Sequence, residues 1–317
     1  MATAVVIAMT ELGKENGRDL FERSLPLLSM ENNIKSILAA RTVQFCRIVQ
    51  EGHTNVQLLF IADSKKYIYR TACCAEYCDI EIDYSAEAAV NSFAAAHGID
   101  NTFVHLNANN GDKIAHYLDN SHVLDESCWN QLSSSIAVLR KFHSNALSSY
   151  PLTAYLDFER LLSQYDVIIR SCAAKYCAYY SELFALAKDL YHSIQREIQY
   201  SACHFDCHQG NFLFDSSESV NLIDYEHCKY FDSRFDLASL AVNCNLNKCN
   251  AEKMWAEYYG NQISKKEIAF LWKMCILCAF YNIQWAIYVQ LNNIEAKQYI
   301  QSNIKYIGRY YINCFMS

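Results

Sequence analysis

The sequence predicts an α+β chain of two lobes, a small strand-rich lobe first and a larger helical lobe after it. Three observations carry this reading. Short β-like runs crowd residues 42–71, apolar residues recur at helical spacing through most of the chain after Asp125, and one polar segment, 203–236, interrupts that helical remainder. The division is expected near residue 118, with the first lobe and its N-terminal helices over 1–118 and the helical lobe over 119–317. In 317 residues, 52% are hydrophobic and 19% charged, so a sizeable core is available and wholesale disorder is excluded.

Taken in order, residues 14–40 read as helix on an interrupted apolar face that includes Leu20, Leu28, Ile34 and Leu38. Phe45–Val49, Val56–Ile61 and Tyr67–Arg70 read as strands, separated by the turn residues Gly52-His53-Thr54-Asn55 and Asp63-Ser64. Ser85–His97 is a helix that Gly98 closes at C′. Phe103–Leu106 and Lys113–Leu118 flank the turn Asn109-Asn110-Gly111 as two more strands. Trp129–His143 and the long stretch Tyr155–Tyr200 keep helical spacing. Only two prolines and eight glycines punctuate the chain, so composition marks no linker.

The formal net charge is −7 without a basic stripe, which argues against a nucleic-acid partner. Fifteen cysteines is an odd number, and the apolar run 2–9 is short and lacks a basic start, so the thiols are expected free in a cytoplasmic setting. Residues 268–289 are apolar enough to raise a membrane span, yet Lys273, Asn282 and Gln284 interrupt them; a buried helix is expected. Cys275 and Cys278 fall one turn apart there and read as core rather than zinc ligands. Nothing in the sequence addresses oligomeric state.

The chemistry sits in His204-Phe205-Asp206-Cys207-His208-Gln209-Gly210-Asn211, followed by Asp224-Tyr225-Glu226. An Asp and an Asn on one loop can supply a base and a metal ligand together. Phe212–Phe214 and Val220–Ile223 read as a hairpin that delivers Asp224 at its end. One or two carboxylates with an amide oxygen form a hard-oxygen set suited to Mg²⁺.

These residues resemble the catalytic and metal-binding loops of the choline/ethanolamine kinase and aminoglycoside phosphotransferase superfamily, relatives of protein kinases. The pattern H-x-D-x-x-x-x-N-x-L, then I-D-[FWY]-E, then [FW]-D-[IL]-A is met by His204, Asp206, Asn211, Leu213, Ile223, Asp224, Glu226 and Phe235-Asp236-Leu237-Ala238. The resemblance implies a bilobal protein-kinase-like fold and an enzyme using ATP and Mg²⁺. It makes Asp206, with His204 in its motif, the catalytic centre, Asn211 and Asp224 the metal ligands, and Asp236 the support of the loop. In the first lobe, Gly52, Thr54 and Asn55 resemble the phosphate-covering turn of bacterial choline kinases. Arg70 matches the cation that grips the phosphates, Glu87 its acidic partner, and Tyr117 lies in the segment that passes near the adenine. Read alone, that turn is an ordinary hairpin turn and Glu87 a solvated helix residue.

The acceptor is expected to be choline. A quaternary ammonium is held by aromatic faces with a carboxylate nearby; Trp285 and Tyr299, with Tyr281, resemble the aromatic pattern of choline kinases, and the resemblance assigns the pocket to Glu226, Tyr281, Trp285 and Tyr299. Tyr281 and Trp285, at i and i+4, share a helix face, although such a stripe also serves as plain core packing. Many choline kinases carry a glutamate where this chain has Asn243, which keeps thiamine, an aminoglycoside or another amino alcohol open as the acceptor. A nucleotide-binding scaffold without turnover is the non-enzymatic alternative.

Overall fold

The computed structural model describes residues 27–51, 55–72, 82–145, 155–171, 179–291 and 296–315. The chain divides into two compact units, Met1–Tyr84 with Thr102–Asp119, and Ser85–Asn101 with Asn120–Ser317. Gly52 and Thr54 lie outside the described residues, as do residues 14–26 of the helix expected over 14–40.

In the first unit, helix α1 (Leu27–Leu38) precedes strands β1 (Val43–Glu51), β2 (Asn55–Ala62) and β3 (Lys65–Ala72). With β4 (Phe103–Leu106) and β5 (Lys113–His116) they form one antiparallel sheet in the order β1-β2-β3-β5-β4. Successive side chains of a strand point to opposite faces, so alternation decides what is buried. Val56, Leu58 and Phe60 of β2, Tyr67 and Tyr69 of β3 and Ile114 of β5 fall on one face. Met30 and Ile34 of α1 complete that core. Each such side chain contributes roughly 1.5–3 kcal/mol by leaving water. The opposite register places Arg70 across from Lys113, away from the apolar core.

The second unit holds α2 (Tyr84–Ala96, from Ser85), β6 (His122–Val123), α3 (Trp129–Asn145), α4 (Phe158–Ser171) and α5 (Tyr180–Ile194). Strands β7 (Tyr200–Cys203), β8 (Phe212–Phe214), β9 (Val220–Leu222) and β10 (Lys229–Asp232) follow, then α6 (Arg234–Asn243), α7 (Lys248–Tyr258), α8 (Lys265–Leu291) and α9 (Lys297–Phe315). The stretch expected as helix over Tyr155–Tyr200 is corrected by the structure: α4 and α5 are followed by a 3₁₀ turn, Gln195–Glu197, and a strand. Tyr200–Cys203 pairs with Lys229–Asp232, and Gln199 N donates to Asp232 at 2.9 Å, drawing the chain out of helical geometry. The strand expected over Lys113–Leu118 stops at His116, and Tyr117 N instead donates to Lys66 O.

Helix α8 is apolar on every side because protein surrounds it. By length and composition it could cross a membrane, but 72% of its most apolar window is buried in the protein. Cys275 and Cys278 are buried in it, and Trp272 stacks on Tyr310 of α9 at 4.3 Å. The start of α6 is pinned by Arg234, whose guanidinium binds the Asp232 carboxylate and lies 3.5 Å over the Phe270 ring.

Two glycines show where backbone geometry fixes the residue. Gly98 (φ +59°) closes α2, and Gly111 (φ +76°) turns between β4 and β5. A side chain at Gly98 meets nothing nearer than Lys141 Nζ at 3.6 Å, whereas at Gly111 it runs into the Tyr84 ring. Gly98→Ala is therefore expected to lower stability by about 1 kcal/mol, the left-handed backbone cost alone. Gly111→Ala should lower it by more, since Tyr84 must also move. Equal denaturation midpoints for the two variants would contradict this placement.

Candidate active site

The site is a loop stretched along one face of one helix. Cys203 ends β7, the loop runs through His204–His208, and a 3₁₀ turn, Gln209–Asn211, leads into β8. Helix α6 is almost wholly buried, and its polar residues recur at Asp236, Ser239 and Asn243. That i, i+3, i+7 spacing puts all three on one face.

Asp236 is fully buried and accepts four hydrogen bonds: His204 N at 2.7 Å, Phe205 N at 2.8 Å, Cys203 Sγ at 2.9 Å and His143 Nε2 at 2.8 Å. Burial alone would raise this carboxyl, but the His143 hydrogen bond and the charges of His143 and His204 outweigh it and hold the group below the usual carboxylate range. Farther along the face, Ser239 Oγ and Asn243 Nδ2 both donate to Cys207 O at 3.0 Å. The loop is thus tied immediately before and immediately after Asp206.

Between those ties Phe205 takes a left-handed backbone, φ +68°. Such a conformation costs roughly 1–2 kcal/mol outside glycine. It lets two successive N–H groups reach one carboxylate, while the Phe205 ring stacks on Phe235 at 4.5 Å. Asp206 follows with its side chain 37% exposed, open on a loop that is otherwise mostly buried. Asn211 Nδ2 holds its orientation, donating to Asp206 O at 2.8 Å and to Oδ2 at 3.1 Å. Burial opposes the charge on Asp206, but His208, with Nε2 3.6 Å from Oδ2, and the His227 and His204 rings outweigh it and hold the carboxyl well below its ordinary value.

His204 is buried, and both ring nitrogens are engaged by backbone: Nε2 with Ile223 O at 2.9 Å and Nδ1 with Asp206 N at 3.4 Å. Burial lowers its pKa. Ile223 N donates to Asn211 O at 3.0 Å, extending the β8–β9 register by one pair and setting Asp224 beside Asn211. Asp224 is itself left-handed, φ +69°. Asn211 spends its amide nitrogen on Asp206, and an amide oxygen with a carboxylate, the groups Asn211 and Asp224 carry, is a ligand set that suits Mg²⁺.

Of the expected acceptor residues, Tyr281 packs on Phe205 at 5.5 Å, and Trp285 meets Tyr299 edge-on at 6.1 Å. Tyr299 OH donates to Asn243 Oδ1 at 3.1 Å. Glu226 is buried with its Oε1 3.5 Å from His227 Nε2. In the first unit, Asn55 and Arg70 are buried, and Arg70 Nη2 donates to Gly111 O at 3.2 Å. The Tyr117 ring lies beneath Lys66 Nζ at 5.7 Å. Glu87 is buried within α2 rather than lying on a solvated face. Sequence reading missed His143 and Ser239, and took Asn243 only as a departure. The signals were present: His143 continues the apolar stripe Leu132, Ile136, Leu139 of α3, and Ser239 and Asn243 repeat from Asp236 at helical spacing.

The model of the phosphotransferase enzyme family matches residues 46–271. Protein LicA of Haemophilus influenzae is 25% identical over 219 residues, covering 68% of this chain; the match spans 62% of that relative's length. The crystal structure of choline kinase LicA from Streptococcus pneumoniae is 18% identical, covers 90% of this chain and 99% of its own, and superposes with a TM-score of 0.71. A choline/ethanolamine kinase family protein from Mesorhizobium loti is 19% identical, with 91% and 99% covered and a TM-score of 0.70. The fold is therefore kinase-like, with a strand-rich N-terminal sheet and a helical C-terminal region.

Asp236→Asn puts an amide nitrogen where only donors now point, and is expected to cost about 3 kcal/mol or more. The wild-type carboxyl titrates lower folded than unfolded, so its contribution is complete above the unfolded value of about 4 and is lost as pH falls through the folded value. Denaturant titrations should show the variant's deficit shrinking below pH ~4. A deficit that persists undiminished into acid would contradict the assignment.

Proposed function

The chain belongs to the phosphotransferase enzyme family, and from that premise we propose that it transfers the γ-phosphoryl group of ATP to the hydroxyl of choline, giving phosphocholine. One observation carries the acceptor class. The partly exposed Asp206 carboxylate lies on a loop whose preceding residue, Phe205, contacts Tyr281 and whose following residue, Cys207, is tied through Asn243 to Tyr299 and so to Trp285. A base for a hydroxyl and aromatic faces for a quaternary ammonium are built from one loop and its supports.

In this reading Asp206 orients the acceptor hydroxyl and takes its proton, while the hydroxyl oxygen bonds the γ-phosphorus and the bond to the departing ADP oxygen breaks. In a loose phosphoryl-transfer transition state little charge builds on the attacking oxygen, so the proton moves late and orientation is the larger part of the work of Asp206. His204, buried and engaged at both nitrogens, positions the loop rather than moving protons. Asn211 and Asp224 would hold Mg²⁺, which when bound neutralises charge on the phosphate oxygens. Asn55, Arg70, Glu87 and Tyr117 are assigned to the nucleotide, Arg70 to its phosphates. Glu226, buried near His227, is assigned to the acceptor side. The cytoplasmic setting is part of the same reading, resting on an odd number of cysteines in a long chain.

A second acceptor class is favoured by Asn243. Its side chain is a neutral amide beside the aromatic residues, so an acceptor that brings its own aromatic cation, such as thiamine, suits the same surface.

Steady-state kinetics with Mg²⁺–ATP and a panel of choline, ethanolamine and thiamine test the proposal. Asp206→Asn is expected to lower kcat by about 10³-fold or more with acceptor KM nearly unchanged, and Trp285→Ala to raise choline KM by about 10-fold. Retained turnover in Asp206→Asn would remove the mechanism. A panel preference for another acceptor would remove choline and leave the phosphoryl chemistry standing.

A further inference from the structure

The polar face of α6 does more than hold the loop. Asn243 ends the helix with its Nδ2 on Cys207 O and, at 3.1 Å, on Ser239 Oγ, while its own carbonyl accepts from Gln209 Nε2 at 2.8 Å. Its Oδ1 faces the other way, accepting from Asn282 Nδ2 of α8 at 3.2 Å and from Tyr299 OH of α9 at 3.1 Å. Asn282 Nδ2 also reaches Asn303 Oδ1 at 3.2 Å, and Asn303 Nδ2 returns to Tyr299 O at 2.9 Å. Both ends of one short amide are thus committed, the nitrogen to the residue after Asp206 and the oxygen to the aromatic pair Trp285–Tyr299.

From this geometry we propose that Asn243 is a positioning residue that sets the spacing between the aromatic surface and the Asp206 carboxylate, and so selects acceptors by the length of the link between cationic head and hydroxyl. The inference rests on the acceptor reading above. Neither the Tyr299 hydroxyl nor the Cys207 carbonyl can shift relative to the other without breaking a bond to the same side chain. An acceptor seated against the aromatic pair therefore presents its hydroxyl to Asp206 at one reach, and a homologue lengthened by one carbon overshoots. Asn282 and Asn303 stiffen the arrangement from α8 and α9, and no formal charge enters the chain of amides.

The test compares kcat/KM for choline and for its three-carbon homologue in wild type, Asn243→Ala, Tyr299→Phe and the double variant. Wild type is expected to prefer choline by about 10-fold or more, the scale of one methylene in a fitted pocket. Each single variant should cut that preference about 5-fold, and the double variant no further, because both break one connection. A preference unchanged within about twofold in the folded variants, or losses that add, overturns the proposal. A purely structural Asn243 would weaken both acceptors alike and leave the ratio where it was. Tyr299 reaches the surface at 37% exposure, so Tyr299→Phe carries the test if Asn243→Ala does not fold. If wild type turns over neither acceptor, the acceptor reading itself fails, and hydrogen exchange at the backbone amides of 207–211 decides the coupling. Faster exchange in Tyr299→Phe supports it, and unchanged exchange overturns it.

Discussion

A single buried carboxylate organises the loop that carries Asp206. Asp236 gathers two successive backbone N–H groups, a thiol and a histidine, and only with that gathering in place is the left-handed turn at Phe205 offset. Charge-assisted hydrogen bonds in a dry interior are strong, and leaving the same donors unmet would be costly. The turn sends the Phe205 ring inward onto Phe235 and leaves Asp206 as the acid that emerges. The electrostatics of the site follow: the histidines that keep Asp236 ionised belong to the same cluster that keeps Asp206 ionised and weakly basic.

The same helix face carries the account from fold to chemistry. Arg234 fixes where α6 begins, Asp236 and Ser239 register the loop against it, and Asn243 passes the register on to α8 and α9. The hairpin β8–β9 supplies the second constraint, since its pairing decides that Asp224 stands beside Asn211. Precision at the site thus comes from secondary structure on both sides of a short loop rather than from the loop itself.

Much of this was legible in the sequence, for identifiable reasons. The strands of the first unit alternate cleanly and end at turn residues, and α8 is too long and apolar to read otherwise than as a buried helix or a membrane span. The segment around Asp206 stood out in the sequence because an Asp and an Asn five residues apart precede a readable hairpin, which the structure forms as β8 and β9. Strands β7 and β10 did not, because four-residue strands paired across a long separation carry no local periodicity. The supporting side chains were harder still. His143 and Ser239 gain meaning only once the face of α6 that meets the loop is known, and Asn243 read as a missing charge before its hydrogen bonds were seen.

The central claim is that Asp206, held by α6, directs an acceptor hydroxyl to the γ-phosphorus of ATP. Phosphorus NMR of the full chain with Mg²⁺–ATP and choline tests it most directly, because it identifies the product rather than the loss of substrate. The account predicts that the γ-phosphoryl resonance is replaced by that of a choline phosphomonoester, with ADP formed in equal amount. Inorganic phosphate as the only new resonance, or unchanged ATP, would contradict it.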